Sequence, residues 1–289
     1  MANPRQSPTL RRRRLSAILR RLRAQDGRPA KEVAEVLEWP PSKLTHMERN
    51  EWKLPRVQDI RLLLDVYGVT DERQRDELVC LARDARQRGW WHPYRDMISE
   101  RYSTYIGLEA EASALLTYQP MIVPGLLQTD DYARALMLAG SARIDADEIE
   151  QRVEVRLERQ QILTGQDPVS LWAVIDEAAL RRPIGGPGTM RAQLAYLHKM
   201  SQTSHVTLQV IPFACGAHAG VGKGSFTILQ FPSEVDRDAV YLDNFAGELF
   251  IEEAEEVDRF HVAFRHLVGV ALSPLDTLAL LAAEMAGGT

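Results

Sequence analysis

The chain has 289 residues, 45% of them hydrophobic and 26% charged, a balance that excludes an intrinsically disordered chain and leaves room for two domains. Its net charge of −5 hides a split: residues 1–55 carry 13 Lys and Arg against 6 Asp and Glu, and the rest carries 22 against 34. No apolar run approaches the ~20 residues of a membrane span, and no apolar core follows the N-terminal arginines as a secretory signal requires. Cys80 and Cys215 stand far apart, outside any CxxC pair. The expectation is a reduced, cytoplasmic protein without membrane contact.

Leu15, Ile18, Leu19 and Leu22 recur at helical spacing and predict a helix over about 11–25. Arg11, Arg12, Arg13 and Arg14 precede or open it. Gly27 ends it, and Pro29 opens a second helix with Val33, Ala34 and Leu37 inward. Trp39-Pro40-Pro41 breaks the chain. A third helix over 41–50 then turns Leu44 and Met47 inward and Ser42, Lys43, Thr45, His46 and Arg49 outward, with Asn50 suited to a left-handed cap. Ile60, Leu63, Leu64 and Tyr67 extend the same core in a fourth helix ending near Gly68. A fifth, about 71–88, bridges to the remainder.

Short basic amphipathic helices joined by a tight turn are suited to placing one helix in the major groove of DNA. Base-edge or phosphate contact is expected at Ser42, Lys43, Thr45 and His46, with Lys31, Arg49 and Lys53 as further cations. The four arginines are either a solvated charge run or a flexible arm that tracks phosphates or enters a narrow minor groove.

Gly89-Trp90-Trp91-His92-Pro93 breaks the fifth helix and divides the chain into domains at 1–88 and 89–289. Trp90 and Trp91 suit a ligand platform, although paired tryptophans more often pack one domain on another. Helices dominate 102–164. Leu108, Ala112, Leu115 and Leu116 form one stripe, Thr129 caps a second helix, and Asp145 with Glu148 starts a third in the manner of a capping box. Strand signals follow at 169–175, 206–212, 225–231 and 239–244. Helices at 188–202, 254–269 and 273–286 complete the order. The fold class expected is mainly α, with a helix-turn-helix bundle, a helical segment and an α+β C-terminal domain around a mainly antiparallel sheet.

Met47-Glu48-Arg49-Asn50 resembles the signature of the phage-repressor-like (XRE) helix-turn-helix family. The resemblance implies that the helix at 41–50 is the recognition helix and that Arg23 pairs with Glu48, which makes Glu48 structural. Two departures stand out. Ala30 occupies a position where that family often has a phosphate-binding polar residue, and Glu38 occupies the turn position that is usually Gly. Tyr118-Gln119-Pro120, Val123-Pro124-Gly125-Leu126-Leu127-Gln128-Thr129, Asp131-Tyr132-Ala133, Asp176-Glu177-Ala178-Ala179-Leu180-Arg181 and Gly224-Ser225-Phe226-Thr227 are similar to the C-terminal domain of actinobacterial WhiJ-like regulators. That resemblance implies pairing with a small protein encoded by a neighbouring gene, in an antitoxin-like arrangement.

Other chemistry is weaker. The segment 216–225 misses the phosphate-loop template, having Ala217 where Gly is needed and Gly224 where Ser or Thr is needed, and a strand follows it rather than a helix. Cys215 and His218 lack a second metal-binding pair. Asp176, Glu177 and Arg181 sit at a strand-to-helix corner, where carboxylates more often cap than catalyse, and suit a small effector or a partner peptide. No cofactor, metal or catalytic activity is expected. The expected function is a dimeric DNA-binding regulator whose C-terminal domain responds to a protein partner or ligand; the alternative is an antitoxin-like module that mainly sequesters a small partner.

Overall fold

Ser7 sets the first helix. Its hydroxyl accepts from the Thr9 amide at 3.1 Å, and Pro8 follows where no N–H is needed. The computed structural model describes residues 7–52, 54–140, 145–233, 236–245 and 247–287. They fall into two units, Met1–His92 and Pro93–Thr289.

The first unit holds α1 (Pro8–Asp26), α2 (Ala30–Val36), α3 (Pro41–Glu48), α4 (Val57–Val66) and α5 (Glu72–Asp84). Leu15, Leu19, Val33, Leu44, Ile60, Leu63 and Leu64 are fully enclosed, so the predicted apolar stripes meet in one core. α5 joins that core through Leu78 and Ala82. The α2–α3 turn closes through the Trp39 amide on the Ala34 carbonyl at 2.8 Å, which puts Glu38 at φ 53. Asn50 takes φ 60 after α3, the left-handed conformation that Asn tolerates better than most residues. The reading of Arg11 to Arg14 as a flexible arm is corrected, because all four lie inside α1 and are half-buried. The Ser7-Pro8 start outranks the charge run as the helix signal.

The second unit opens with α6 (Glu100–Glu111), capped by the Ser99 hydroxyl on the Tyr102 amide at 2.8 Å. There follow β1 (Ala114–Gln119), α7 (Asp130–Gly140), α8 (Ala146–Arg159), α9 (Gln161–Thr164), β2 (Ser170–Asp176), α10 (Ala178–Arg181), α11 (Gly186–Met200) and β3 (Val206–Ile211). The chain ends with β4 (Phe226–Gln230), β5 (Ala239–Asn244), β6 (Gly247–Ile251), α12 (Ala254–Val270) and α13 (Pro274–Gly287). The stripe expected over Leu108 to Leu116 is broken, since the helix stops at Glu111 and Leu115 and Leu116 belong to a strand.

The strands form a mixed six-stranded sheet in the order β3-β2-β1-β4-β5-β6. β1, β2 and β3 run parallel, joined by helical crossovers, and β4, β5 and β6 add antiparallel. Strand alternation puts Tyr118, Val174, Phe226, Ile228 and Val240 on one face, under Phe264 and Leu267 of α12. Tyr241 lies on the opposite face and stacks on Tyr105 of α6 at 4.0 Å between ring centroids.

Beside that stack, Arg159 of α8 bonds Glu109 of α6 through both carboxylate oxygens at 2.8 and 2.7 Å. Tyr102 and Tyr105 flank the guanidinium at 5.2 and 5.1 Å, and the Tyr102 hydroxyl also meets it. Burial disfavours the Arg159 charge, but Glu109 and the tyrosines outweigh it and raise its pKa. Both partners are buried, so neither can be removed alone without leaving an orphan charge. Glu109→Gln is therefore expected to cost about 3–5 kcal/mol. Urea unfolding of the full chain should show this as a fall in the midpoint of the transition, and the double change Glu109→Leu with Arg159→Met should recover most of the loss.

Candidate nucleic-acid interface

α3 presents its outer face because its inner one is fixed. Leu44 and Met47 are buried, and Glu48 accepts from Arg23 Nε at 2.6 Å and Nη2 at 2.9 Å. Arg23 also donates to the Arg28 carbonyl at 3.2 Å, so one guanidinium ties α1 to α3 and to the turn before α2. The Arg23–Glu48 pairing is thus present with bidentate geometry, and Glu48 is unavailable for base readout.

On the outer face, Ser42, His46 and Arg49 are exposed and Thr45 is half-buried. His46 stands 3.8 Å from Glu51, a distance that leaves its ring loosely held. Lys43 is more committed than its position suggested. Its ammonium lies 2.9 Å from Asp59 and 3.7 Å from the Trp39 ring centroid, an ion pair and a cation–π contact together. Lys31 is exposed on α2, 3.9 Å from Glu35. Lys53 lies outside the described residues. Exposed Glu32 and Glu35 on α2, with exposed Glu38 in the turn that follows, put acidic side chains next to the recognition helix. A phosphate backbone would be repelled there, which narrows the favourable surface to α3 and the segment after it.

The arginines of α1 are partly engaged within the head. Arg11 lies 3.6 Å from Asp84, and Arg12 Nε donates to Asn50 Oδ1 at 3.2 Å. The Asn50 contact links α1 to the end of the recognition helix. Trp52 adds a second link there, donating to the Ser16 hydroxyl at 2.9 Å. Neither link was visible in the hydrophobic period, since both join residues more than 35 positions apart.

The remaining candidates divide between the units. Trp90 and Trp91 belong to the first, edge to face at 5.9 Å, with Trp91 buried over Gly89. Asp176, Glu177 and Arg181 belong to the second and serve as internal ties. Asp176 accepts from the Ala178 amide at 2.8 Å and so starts α10. Glu177 accepts from Phe213 N at 2.8 Å and from Arg181 Nε at 3.0 Å. Arg181 reaches on to Glu284 of α13 at 2.8 Å. A ligand here would have to displace these bonds. Among the described residues no group of three or more His, Cys, Asp or Glu side chains could hold a metal ion, and no single helix is long and apolar enough to cross a membrane.

An exposed, rigidly held recognition helix on a small helical bundle defines a helix-turn-helix head, the equipment of a DNA-binding regulator. A helix-turn-helix domain family matches residues 14–78, from within α1 to within α5. The family described as Domain of unknown function (DUF5753) matches residues 102–283, from α6 into α13, and the chain belongs to that family. No curated protein and no solved structure matches the chain.

Exposed Ser42 and His46 should differ from Arg49 in what they control. Replacing both Ser42 and His46 by Ala is expected to relax sequence preference, at about 1–3 kcal/mol for each base-edge hydrogen-bonding pair removed. Arg49→Gln should instead weaken all sequences alike and flatten the slope of log affinity against log salt by about 0.9. Affinities on a randomised duplex library at several salt concentrations separate the two effects, and an unchanged preference in the Ser42/His46 variant would remove these residues from the readout.

Proposed function

We propose that the chain is a sequence-specific transcriptional regulator of the WhiJ-like kind, acting in the cytoplasm as a homodimer and without catalytic activity. The observation that carries this reading is the recognition helix, locked from behind by Arg23 and Glu48 and bare in front at Ser42 and His46. One short helix reads only a few base pairs. Ala30 supplies no phosphate clamp, and the acidic side of α2 subtracts from backbone attraction. Two heads on a two-fold site compensate for both shortfalls. The larger domain is the part proposed to respond to a small protein partner or ligand, which changes DNA affinity by favouring one arrangement of the dimer over another.

Selection of bound duplexes by the full chain, followed by titration at several salt concentrations, tests the reading. The expected result is a two-fold sequence with half-sites about one helical turn apart, ~34 Å. Its affinity should fall linearly on a log–log salt plot, with a slope of about −0.9 per phosphate contacted. A chain that enriches no sequence, and scatters as a monomer at the working concentration, would defeat the proposal.

A further inference from the structure

The glycine-rich segment that fails as a phosphate loop forms the rim of a cavity. A space of about 360 Å³ opens between α12, strands β4 and β5, and residues 219–225. That volume lies within the range of small-molecule sites, ~300–1,000 Å³. Phe226, Leu242, Phe260 and Leu267 give it apolar walls, and Ala263 leaves room in the α12 side. Lys223 and Arg259 are also in its lining, and both are exposed. Among the described residues neither cationic side chain has a hydrogen bond or an ion pair. Glu255 and Glu256, one turn earlier on α12, make no ion pair with Arg259. Two unpaired cations beside an apolar cavity, in a region with excess acid, are complementary to a negative charge carried on an apolar body.

The rim is tied down by bonds within the domain. The side chain of His218 is buried beneath it, with Nε2 3.6 Å from Asp176 Oδ2. Its Nδ1 accepts from the Gly220 amide at 3.1 Å, which assigns the remaining ring proton to the side facing Asp176. Gly220 lies flat on Tyr118, where a Cβ would stand 2.4 Å from the phenol oxygen. Burial, with Asp176 beside it, pushes the Tyr118 phenol up to about 12, so it stays neutral at ordinary pH. Gly222 turns the chain at φ 73, and the Lys223 amide closes the turn on the Gly220 carbonyl at 3.0 Å. A site held open by its own bonds needs little reordering on binding.

We propose that this cavity binds a small amphipathic anion: an alkyl or aryl body among Phe226, Leu242, Phe260 and Leu267, ending in a carboxylate at Lys223 and Arg259. A free phosphate is disfavoured because the walls are mostly apolar and the loop leads into a strand, with no helix N-terminus to receive it. The proposal names the ligand class of the responsive domain and rests on the regulatory reading only for its meaning in the cell.

Calorimetric titration of the full chain with decanoate, decan-1-ol and inorganic phosphate tests it. Decanoate should bind, decan-1-ol should bind roughly 5-fold more weakly, as expected for exposed charge contacts, and phosphate should give no heat of binding. Lys223→Gln with Arg259→Gln should bring decanoate down to the level of the alcohol. Ala263→Trp, with an unchanged circular dichroism spectrum, should abolish binding of both. The proposal is overturned if decanoate does not bind, if alcohol and carboxylate bind alike, or if Ala263→Trp leaves binding intact. The titration contains no DNA, so its failure and a failure of duplex selection are distinguishable.

Discussion

Arg23 and Glu48 stand behind the recognition helix, and the geometry of the head follows from their pairing. Glu48 is almost wholly buried and Arg23 only partly exposed, so the carboxylate cannot regain its hydration if the guanidinium is removed. Burial, with Glu48 adding to it, raises the pKa of the nearby Tyr67 phenol and keeps it neutral. The same guanidinium holds the Arg28 carbonyl, while Arg28 itself bonds Asp26 at 2.7 Å and the Val66 carbonyl at 2.6 Å. A chain of charged contacts thus runs from α3 through α1 to the end of α4. It leaves Ser42, His46 and Arg49 exposed on the opposite face of α3, and only side chains without such structural ties can be read against DNA without unfolding the head.

Much of the head was legible because its core is built from local repeats. The positions of Leu15, Leu19, Val33, Leu44, Ile60 and Leu63 follow from a 3.6-residue period, and the left-handed turn at Asn50 from residue chemistry, whereas the turn at Glu38 was marked only by the family resemblance. What the period cannot show is where long side chains go. Four consecutive arginines look like a tail until Ser7 and Pro8 are seen to start a helix ahead of them. Lys43 looks like a free cation until Asp59 and Trp39 take it up.

The larger domain was less legible because its topology rests on distant pairings. Ala114-Leu115-Leu116 has strong helix formers, yet it is the strand on which β2 and β4 both pair. Helix propensity of a few tenths of a kcal/mol per residue is outweighed by two ladders and burial on both faces. The parallel β1–β2–β3 arrangement depends on crossovers that strand signals alone do not reveal, and β6 is a half-exposed strand with little apolar period. The polar corner was easy to find and easy to over-read. Asp176, Glu177 and Arg181 were visible as a cluster, but their bonds to Ala178, Phe213 and Glu284 show a corner stapled from three directions. The cavity left the opposite trace. Its walls come from three separated segments, and only the glycines of 216–224 marked it.

Asp176 connects these two features, because one of its oxygens starts α10 and the other faces His218 under the cavity rim. α12 supplies another connection: Phe260 and Leu267 line the cavity, while Phe264 on the same helix packs into the sheet core. A ligand seated there would press on a helix that is also part of the domain's main packing layer. That alone changes nothing about DNA binding, since a ligand shifts an equilibrium only by its difference in affinity for two states. For a cavity occupant to act as a signal, α12 must have two positions against the sheet that accept the occupant unequally. A tenfold change in operator affinity then needs a difference of about 1.4 kcal/mol between them. Partial withdrawal of one apolar side chain from the cavity wall is enough to supply that, given about 1.5–3 kcal/mol for burying a whole one.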